Sequence, residues 1–321
     1  MGNLNGAEKL IIYLPAFNEE EKIKSVIHSL PRDLPGIHSI EILVIDDGSN
    51  DKTASIALEA GATVVSHYKN MGLGIAFQTA VMYAIENEAS ILVSIDADGQ
   101  FYPSEIGYLI KPIQGGTVQM VTGNRFANKK LENMPSIKYI GNKIMAKLVG
   151  KISNIQLQDV SCGFRAYSRE ALYNLNLFGV FSYTHEVILN LSFKGISISE
   201  QPVMVTYYPD RKSSISSNLF SYILKTLTII IRTYIDYQPF KLFGFIGGLN
   251  FLLATYFVGF LMIHYFITGN YSPYKAYGFI GLGFGIFGLL ILIIGLIADM
   301  IKRIRLNQEK ILYHLKKKLK N

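Results

Sequence analysis

The chain has 321 residues, of which 50% are hydrophobic and only 17% are charged. This length exceeds one ordinary domain, and the composition excludes a wholly soluble chain and a disordered one, so a membrane part is predicted. One cysteine, Cys162, and six scattered histidines exclude a disulfide framework and a cysteine-based zinc site. We therefore expect a reducing, cytoplasmic setting, and any metal must be held by oxygen atoms.

The formal net charge of +7 lies mostly in the C-terminal tail. From Asp299 onward, eight Lys and Arg residues oppose two acidic residues, which gives +6 and leaves the rest of the chain nearly neutral. This distribution argues against a nucleic-acid binder. Residues 1–9 are polar and the first apolar run, 10–14, is only strand length, so we expect no signal segment and an N-terminus that stays inside the cell.

Up to about Val205, apolar runs alternate with amphipathic segments. The runs predicted as strands are 9–14, 41–45, 62–66, 90–95 and 119–122. The segments predicted as helices are 19–30, 53–60, 72–87 and 104–110. Asn18 is expected to be the N-cap of the first helix. Strand followed by helix, four times over, predicts an α/β fold with a mainly parallel sheet whose ligands bind beyond the carboxyl ends of the strands.

Acidic motifs fall where these strands end. The second strand leads into Asp46 and Asp47, followed by a Gly-Ser turn, and carboxylates there suit the N–H of a base or a ribose hydroxyl. The fourth strand leads into Asp96-Ala-Asp98. Two carboxylates so close repel each other unless a cation lies between them. A hard divalent ion that also bridges a diphosphate would supply that charge.

Two stretches near the C-terminus, 242–268 and 276–298, contain no charged residue. Each exceeds the roughly 20 apolar residues that cross a bilayer, so we predict a transmembrane helical hairpin, with a buried soluble hairpin as the alternative. The connector 269–275 carries one lysine, whereas basic residues follow the second span, which places both termini in the cytoplasm. The basic tail sets this orientation, holds anionic headgroups or contacts a neighbouring subunit.

The segment 219–237 is apolar at helical spacing but is interrupted by charged and hydroxyl side chains. It is predicted to be an interfacial helix, or else a core helix of the soluble domain. Small residues recur four apart in the spans, Gly244 with Gly248 and Gly281 with Gly285. This spacing favours close helix packing, within the hairpin or between copies.

The motifs taken together resemble a known family. In chain order they are Leu14-Pro-Ala-Phe-Asn-Glu-Glu20, Val44-Ile-Asp-Asp-Gly-Ser49, Asp96-Ala-Asp-Gly-Gln100, Gly123-Asn-Arg125, Asp159-Val-Ser-Cys-Gly-Phe-Arg165, His185-Glu186 and Arg211-Lys-Ser-Ser214. This set, followed by a membrane hairpin, resembles the family 2 glycosyltransferases with the GT-A fold. Within them it is most similar to polyprenyl-phosphate sugar transferases such as dolichyl-phosphate mannose synthase and undecaprenyl-phosphate glucosyltransferase, over essentially the whole chain.

The resemblance implies an organisation and a reaction. A cytoplasmic GT-A domain would span 1–215, interfacial helices 216–240, two transmembrane helices 241–300 and a basic tail 301–321. The expected reaction is the inverting, metal-dependent transfer of a hexose from a nucleotide sugar to a membrane polyprenyl phosphate, with UDP-hexose favoured and GDP-mannose as the alternative. A flippase partner and a homo-oligomer such as a tetramer are also expected. The rivals are a same-fold transferase acting on a saccharide and a non-catalytic module that binds nucleotide sugar.

The resemblance also implies roles for individual residues. Those matching the nucleotide-sugar positions are Pro15, Phe17, Glu19, Asp46, Asp47, Asp96, Ala97, His185 and Glu186. Those matching the positions that place Mg²⁺ or Mn²⁺ are Asp96, Asp98 and Gln100. The acceptor phosphate would face Arg125, Lys138, Asn142, Arg211 and Lys212, and the expected catalytic residues are Asp98, Arg125 and Arg211. The family's Arg-x-x-Gly-x-Ser-Lys is Arg211-Lys-Ser-Ser-Ile-Ser216 here, and the missing glycine puts the role of Lys212 in doubt.

Some residues of these motifs are expected to have structural roles. Arg165 is predicted to pair with Asp159 rather than to touch substrate, and Cys162 to be a small packed residue. His185 and Glu186 are expected either to contact donor or acceptor or to serve a helix N-terminus. The other histidines have no evident partner by spacing and are expected to be structural or solvent-facing; they are His28, His38, His67, His264 and His314. Tyr207 and Tyr208 are interpreted as lining the acceptor groove or as strand residues.

Overall fold

The computed structural model describes residues 8–127, 134, 136–177, 183–206 and 219–318, with the backbone alone at 136–138 and 219–226. It divides into two units. One comprises Met1–Ile231 together with Leu312–Asn321, and the other comprises Arg232–Ile311.

The first unit is built on a seven-stranded sheet in the order β3-β2-β1-β4-β6-β5-β7. The strands are β1 (Lys9–Ala16), β2 (Ser39–Asp46), β3 (Thr63–Ser66), β4 (Ile91–Ser94), β5 (Met120–Asn124), β6 (Arg165–Ser168) and β7 (Ile198–Pro202). Only β6 runs antiparallel to its neighbours. The carboxyl ends of the other strands therefore share one edge, and the segment leading into β6 reaches the same edge.

Helices cover both faces of this sheet. They are α1 (Ile23–Ser29), α2 (Thr53–Glu59), α3 (Leu73–Glu86), α4 (Ile106–Gln114), α5 (Ser136–Ser153), α6 (Arg169–Asn174) and α7 (Thr184–Phe193), with a short 3-10 turn at Pro103–Glu105. α1, α2 and α4 bury apolar side chains on one face, whereas α3, α5, α6 and α7 do so on the other. The mainly parallel α/β sheet predicted from the sequence is confirmed. β6 and β7, at four and five residues, were not predicted.

The predicted role of Asn18 as a helix cap is wrong. α1 begins at Ile23, and its N-cap residue Lys22 makes no capping bond with its side chain. Asn18 instead has a left-handed backbone, with φ of 54°, which asparagine tolerates better than most residues. Its side-chain oxygen accepts the N–H of Asn50 at 2.9 Å, so Asn18 joins two strand-end turns.

Three long helices complete the chain: α8 (Leu219–Tyr237), α9 (Pro239–Thr268) and α10 (Lys275–Lys318). The C-cap residue of α9 is Gly269, which has a left-handed backbone with φ of 70°. α9 and α10 are both long and apolar enough to cross a membrane. Large apolar side chains such as Phe245, Leu252 and Phe279 are 70–77% exposed on them. Contiguous apolar exposure of this kind marks a surface that lipid or protein covers.

Within the second unit, α9 and α10 pack through residues spaced seven apart, most of which are small. The buried positions are Gly247, Ala254 and Leu261 on α9 and Gly281, Gly288 and Gly295 on α10. A Cβ atom on Gly288 would lie 3.2 Å from the carbonyl oxygen of Gly247, so the two backbones approach closely. The predicted pair Gly281 and Gly285 does face α9, since Cβ atoms there would lie 3.1 Å from the carbonyl oxygen of Ala254 and 3.8 Å from its Cβ, respectively. The pair Gly244 and Gly248 is not part of this packing, because Gly248 has no atom within 4 Å of where its Cβ would be.

The end of α10 belongs to the first unit and packs on α6. The Lys316 ammonium donates to the carbonyl oxygen of Leu175 and, at 3.1 Å, to Asn176 Oδ1. The Tyr313 hydroxyl donates to Glu170 Oε2 at 3.1 Å. Part of the basic tail therefore binds the same chain's own sheet unit, an outcome that the sequence did not predict.

Candidate active site

The turns after β1 and β2 are bonded to each other. The N–H of Asn18 donates to Ser49 Oγ at 2.9 Å, and the N–H of Glu19 donates to Thr53 Oγ1 at 2.8 Å. Pro15 lies just inside this pair of turns, and the ring of Phe17 is 41% exposed. An exposed aromatic face at the carboxyl edge of the sheet can stack on a nucleotide base.

Asp46 and Asp47 are both buried, but they differ in their partners. Asp46 Oδ1 accepts the N–H of Ser49 at 3.1 Å within its own turn. Asp47 accepts two peptide N–H groups of the loop before α3, from Met71 at 2.9 Å and Gly72 at 2.8 Å. Asp47 therefore fixes this loop against β2, a role that the sequence did not indicate.

His67 is the third partner of Asp47. Its Nδ1 lies 2.7 Å from Asp47 Oδ1, and its Nε2 lies 3.0 Å from Thr79 Oγ1. Thr79 donates its own hydroxyl proton to the carbonyl oxygen of Ile75 at 3.1 Å. A carboxylate oxygen accepts, so Nδ1 of His67 is the donor to Asp47. His67 therefore has a structural role, one of the two expected for it, and its partners were not evident by spacing because Asp47 and Thr79 are distant from it in sequence.

Gly48 allows the same loop to approach the Asp46–Asp47 turn. Its φ is +74°, and a Cβ atom there would lie 2.4 Å from the carbonyl carbon of Lys69. Only glycine satisfies both conditions. The loop before α3 is thereby closed over the end of β2.

Asp96 and Asp98 follow β4 at the centre of this edge. Asp98 Oδ1 accepts the N–H of Gln100 at 2.9 Å, which tightens the turn, and Ala97 between them is buried. Both carboxylates and Gln100 are partly exposed. Among the residues that the structure describes, no group of three or more His, Cys, Asp and Glu side chains could hold a metal ion. A cation at Asp96 and Asp98 would therefore take its other ligands from Gln100, a substrate diphosphate or water, as Mg²⁺ commonly does.

Gly163 forms the wall against which Asp96 lies. A Cβ atom on Gly163 would be 2.9 Å from Asp96 Oδ1 and 3.1 Å from Oδ2, closer than real contacts of this kind. The Ser94 hydroxyl donates to the carbonyl oxygen of Gly163 at 2.6 Å, so this backbone is held in place. The segment before β6 thus shapes the acidic edge.

We expect Gly163→Ala to displace the Asp96 carboxylate, because the added methyl group needs the space that this carboxylate occupies. The expected activity should fall by about 10²-fold, the loss typical when a reacting group is moved by 1 Å. The measurement is product formation across a titration of divalent metal. Gly115→Ala is the control, since its φ of −73° suits any residue and a Cβ atom there would make only ordinary contacts, the nearest with the carbonyl oxygen of Lys111 at 3.5 Å. Equal losses in both variants would contradict the steric account.

Arg125 forms a two-pronged ion pair with Asp159. Its Nε donates to Asp159 Oδ2 at 2.6 Å and its Nη2 to Oδ1 at 2.9 Å. Nη2 also donates to Ser161 Oγ at 2.8 Å, and that hydroxyl donates to Asn142 Oδ1 at 3.0 Å. Burial alone would raise the pKa of Asp159, but the Arg125 charge outweighs it and lowers that pKa. The structure thus brings Asn142 beside Arg125 through Ser161, for which no individual role was predicted from the sequence.

Arg165 does not pair with Asp159, so this prediction is wrong. Its fully buried guanidinium donates to three carbonyl oxygens, those of Cys162, Val160 and Thr184, at 2.8, 2.9 and 2.7 Å. The fork of Arg125 occupies Asp159 instead. Arg165 therefore holds the segment before β6 and the start of α7.

His185 and Glu186 are buried at the start of α7, with 2% and 7% of their surface exposed. Burial, helped by the Arg165 charge, lowers the pKa of His185 to about 4, so its ring is neutral near pH 7. Glu186 lies in the first turn of α7, where the helix dipole stabilises a negative charge. The position of both residues agrees with the expected role at a helix N-terminus. A contact of these residues with donor or acceptor remains a prediction.

Cys162 is fully buried, and burial raises the pKa of its thiol to about 12. The thiol is therefore protonated near pH 7, which confirms a packed residue rather than a nucleophile. Five residues with predicted roles lie outside what the structure describes: Tyr207, Tyr208, Arg211, Lys212 and, for its side chain, Lys138.

The family model for glycosyl transferase family 2 matches residues 11–175, more than half of the chain. The chain belongs to this family. It is a glycosyltransferase, and the resemblance stated from its motifs is confirmed.

Relatives among known proteins support this membership. An uncharacterised protein of Methanocaldococcus jannaschii is 31% identical over 204 residues, covering 62% of this chain and 82% of the relative. UDP-N-acetylglucosamine–dolichyl-phosphate N-acetylglucosaminyltransferase of Methanococcus voltae is 33% identical over 186 residues, covering 52% and 72%. Polyprenol monophosphomannose synthase of Mycolicibacterium smegmatis is 26% identical over 210 residues, covering 62% and 78%.

A solved structure supports the fold. Glucosyl-3-phosphoglycerate synthase from Mycobacterium tuberculosis, in complex with Mn²⁺, UDP and glucosyl-3-phosphoglycerate, aligns with a TM-score of 0.56. It is 21% identical, and the alignment covers 70% of this chain and 80% of the synthase. The GT-A fold of the glycosyltransferase is therefore confirmed.

Proposed function

We propose that this glycosyltransferase moves a hexose from a nucleotide sugar to the phosphate of a membrane polyprenyl phosphate. The observation that carries the proposal is the Arg125 guanidinium, fixed by Asp159, in a chain that also carries two helices of membrane-spanning length. An arginine so placed suits an anionic acceptor. The Methanococcus and Mycolicibacterium relatives, whose names include dolichyl phosphate and polyprenol monophosphomannose, support the same acceptor class.

The chemistry of a phosphate acceptor agrees with the groups at the site. Its oxygen is already anionic near neutral pH, so no strong base is needed to form the nucleophile. Burial lowers the pKa of His185 to about 4, which makes it a weak base, and the Cys162 thiol is protonated near pH 7, so neither is offered as the general base. The difficulty is repulsion between the acceptor phosphate and the donor diphosphate, which Arg125 would offset. Positioning would supply much of the remaining rate enhancement.

A divalent ion, Mg²⁺ or Mn²⁺, fits the acidic edge. Asp96, Asp98 and Gln100 offer oxygen donors, and the absence of a side chain at Gly163 leaves room for the Asp96 carboxylate. When bound, the ion would neutralise charge on the donor diphosphate. The Mn²⁺ and UDP in the similar synthase support this assignment.

A single displacement at the anomeric carbon would invert its configuration, since one bond forms as the opposite one breaks. We favour a UDP-hexose as donor, with GDP-mannose as the alternative. The Methanococcus enzyme is named for UDP-N-acetylglucosamine, whereas other relatives are named for mannose transfer. These names support a hexose without selecting one.

The proposed membrane arrangement follows the charges. α9 and most of the apolar part of α10 would span the bilayer, with both termini in the cytoplasm and the catalytic domain, 1–215, on the same side. α8 would lie at the membrane interface within the segment 216–240, and the basic tail would follow from 301. Because the lipid product carries its sugar on the cytoplasmic side, a flippase is an expected partner. A homo-oligomer, such as a tetramer, remains part of the proposal.

The donor and metal are tested with detergent-solubilised full-length protein and a short polyprenyl phosphate. Radiolabelled UDP-glucose, UDP-N-acetylglucosamine, UDP-galactose and GDP-mannose are supplied in parallel, with Mg²⁺, Mn²⁺ or EDTA. We expect one UDP-hexose to give butanol-soluble label that EDTA abolishes. Label from GDP-mannose alone would overturn the donor assignment, and label that persists in EDTA would overturn the role of the metal.

A further inference from the structure

Glu200 lies on the edge strand β7, outside the motifs of the site and 41 residues along the chain from Asp159. Its Oε1 accepts two consecutive peptide N–H groups, from Gln158 and Asp159, both at 2.8 Å. Its Oε2 accepts the side-chain N–H of Asn124 at 3.1 Å. One carboxylate therefore joins the end of β5 to the segment that leads into β6.

The placement of this carboxylate is electrostatically unfavourable. Burial raises the pKa of Glu200, and the nearby Asp159 charge adds to the effect. In the part of the chain that the structure describes, no Lys, Arg or His forms a salt bridge with Glu200. A glutamine would fill the same volume without the charge. The carboxylate is instead held by three N–H donors, so its role is to accept them.

We propose that Glu200 is a positioning residue for Arg125, and the inference rests on the proposed function. The path runs from Glu200 through the peptide N–H of Asp159 to the Asp159 carboxylate, and from there to the guanidinium of Arg125. Glu200 fixes the backbone of Asp159, and the Asp159 oxygens then receive Nε and Nη2 of Arg125 at 2.6 and 2.9 Å.

The physical reason is that the backbone of Asp159 determines where Arg125 can bind. The Asp159 side chain is short and fully buried, so the orientation of its peptide group decides where its two oxygens lie. A rotation of that peptide would move the Arg125 fork away from the acceptor phosphate. A group misplaced by 1 Å costs about 10²-fold in rate. Glu200 would therefore act on the acceptor step and leave donor binding unaffected.

Two substitutions of Glu200 should disturb the position of Arg125 to different degrees. Glu200→Ala removes both acceptor oxygens. Glu200→Gln keeps one oxygen for the two peptide N–H groups but turns an amide N–H₂ toward the side-chain N–H of Asn124. Asn124 cannot reverse its amide to adapt without losing the 2.9 Å bond from the N–H of Phe126 to its Oδ1. We therefore expect partial function in the glutamine variant and less in the alanine variant.

The experiment measures steady-state polyprenyl-phosphate glycosylation by the full chain, with KM and kcat determined separately for donor and acceptor. Glu200→Ala should lower kcat/KM for the acceptor by about tenfold to 10²-fold and leave KM for the donor within about twofold. Glu41→Gln is the control, since this strand glutamate pairs with Lys9 at 2.7 Å and has no bond to the Arg125 site. UDP affinity and the thermal midpoint verify folding in each variant.

A double-mutant cycle separates positioning from a general structural role. In an Arg125→Lys background the fork is already lost, so Glu200→Ala should lower acceptor kcat/KM by no more than about twofold further. Full additivity, or equal losses for donor and acceptor, would overturn the role of Glu200 while leaving the proposed function intact. Absence of glycolipid from the wild-type chain with every donor would instead overturn the proposed function, and this inference with it.

Discussion

Replacing Asp98 by asparagine is expected to reduce glycolipid formation by about 10²–10³-fold, the loss typical when one electrostatic group of a transition-state site is removed. The substitution preserves shape, and the asparagine oxygen can still accept the N–H of Gln100 that Asp98 Oδ1 accepts at 2.9 Å. The turn after β4 should therefore survive, and the loss would reflect the missing negative charge. Activity is measured over a titration of Mn²⁺ with a fixed donor.

The control for this change is Asp33→Asn, which removes a carboxylate from an exposed position before β2. It should leave both activity and the metal dependence unchanged. The account of the acidic edge would be contradicted if Asp98→Asn kept activity within about tenfold of the wild-type value, because a metal ligand with net charge is worth more than that.

Replacing Arg125 by lysine is expected to lower kcat/KM for the polyprenyl phosphate by about 10²-fold while donor binding is retained. Lysine keeps the positive charge but lacks the planar fork that holds Asp159 and Ser161. The side chain of Arg125 is only 12% exposed and that of Asp159 is fully buried. Water therefore has little access to replace the hydrogen bonds that lysine cannot make. The kinetic constants for donor and acceptor, measured separately, check this result.

Arg125→Ala would be harder to interpret, because it leaves the Asp159 charge buried without the fork. Breaking a buried pair in this way costs about 3–5 kcal/mol of folding free energy. The double variant Arg125→Met with Asp159→Leu removes both charges and should recover much of that stability while remaining inactive. If the double variant recovered transfer activity as well, Arg125 would have a structural role only.

The sequence predicted the sheet because its strands are continuous apolar runs followed by clear turns. β1, β2 and β4 are buried over most of their length, which is the pattern that a parallel sheet covered on both faces requires. β6 and β7 carry polar residues such as Arg165 and Glu200 among few apolar ones. Their pairing depends on neighbours distant in sequence, so no local periodicity indicated them.

The candidate site was predictable where a motif is local. Asp46 and Asp47 lie at the end of β2, and Asp96 and Asp98 follow β4, so an apolar strand precedes each pair. The turns at Asp46 and Asp98 form within a few residues. The partners of these residues were not predictable in the same way. His67 reaches Asp47 across 20 residues, and Glu200 reaches Asp159 across 41. Such contacts follow from the sheet topology, which spacing along the chain does not reveal.

The prediction for Arg165 failed for a related reason. Arg165 and Asp159 stand six residues apart in one motif, which suggested an ion pair. In the folded protein Arg125 pairs with Asp159, because β5 ends beside the segment that leads into β6. Arg165, at the first position of β6, is left to satisfy buried carbonyl oxygens. Competition between two arginines for one carboxylate is a property of the fold.

The central claim is that the sugar is transferred to the phosphate of a polyprenyl phosphate. The direct measurement supplies the full-length protein with its working labelled donor and, in separate reactions, polyprenyl phosphate, the same polyprenol without phosphate, or an oligosaccharide. The account predicts butanol-soluble label with the phosphate alone, and a ³¹P shift showing that the sugar is attached to that phosphate. Label on the bare polyprenol or on the oligosaccharide, with none on the polyprenyl phosphate, would contradict it.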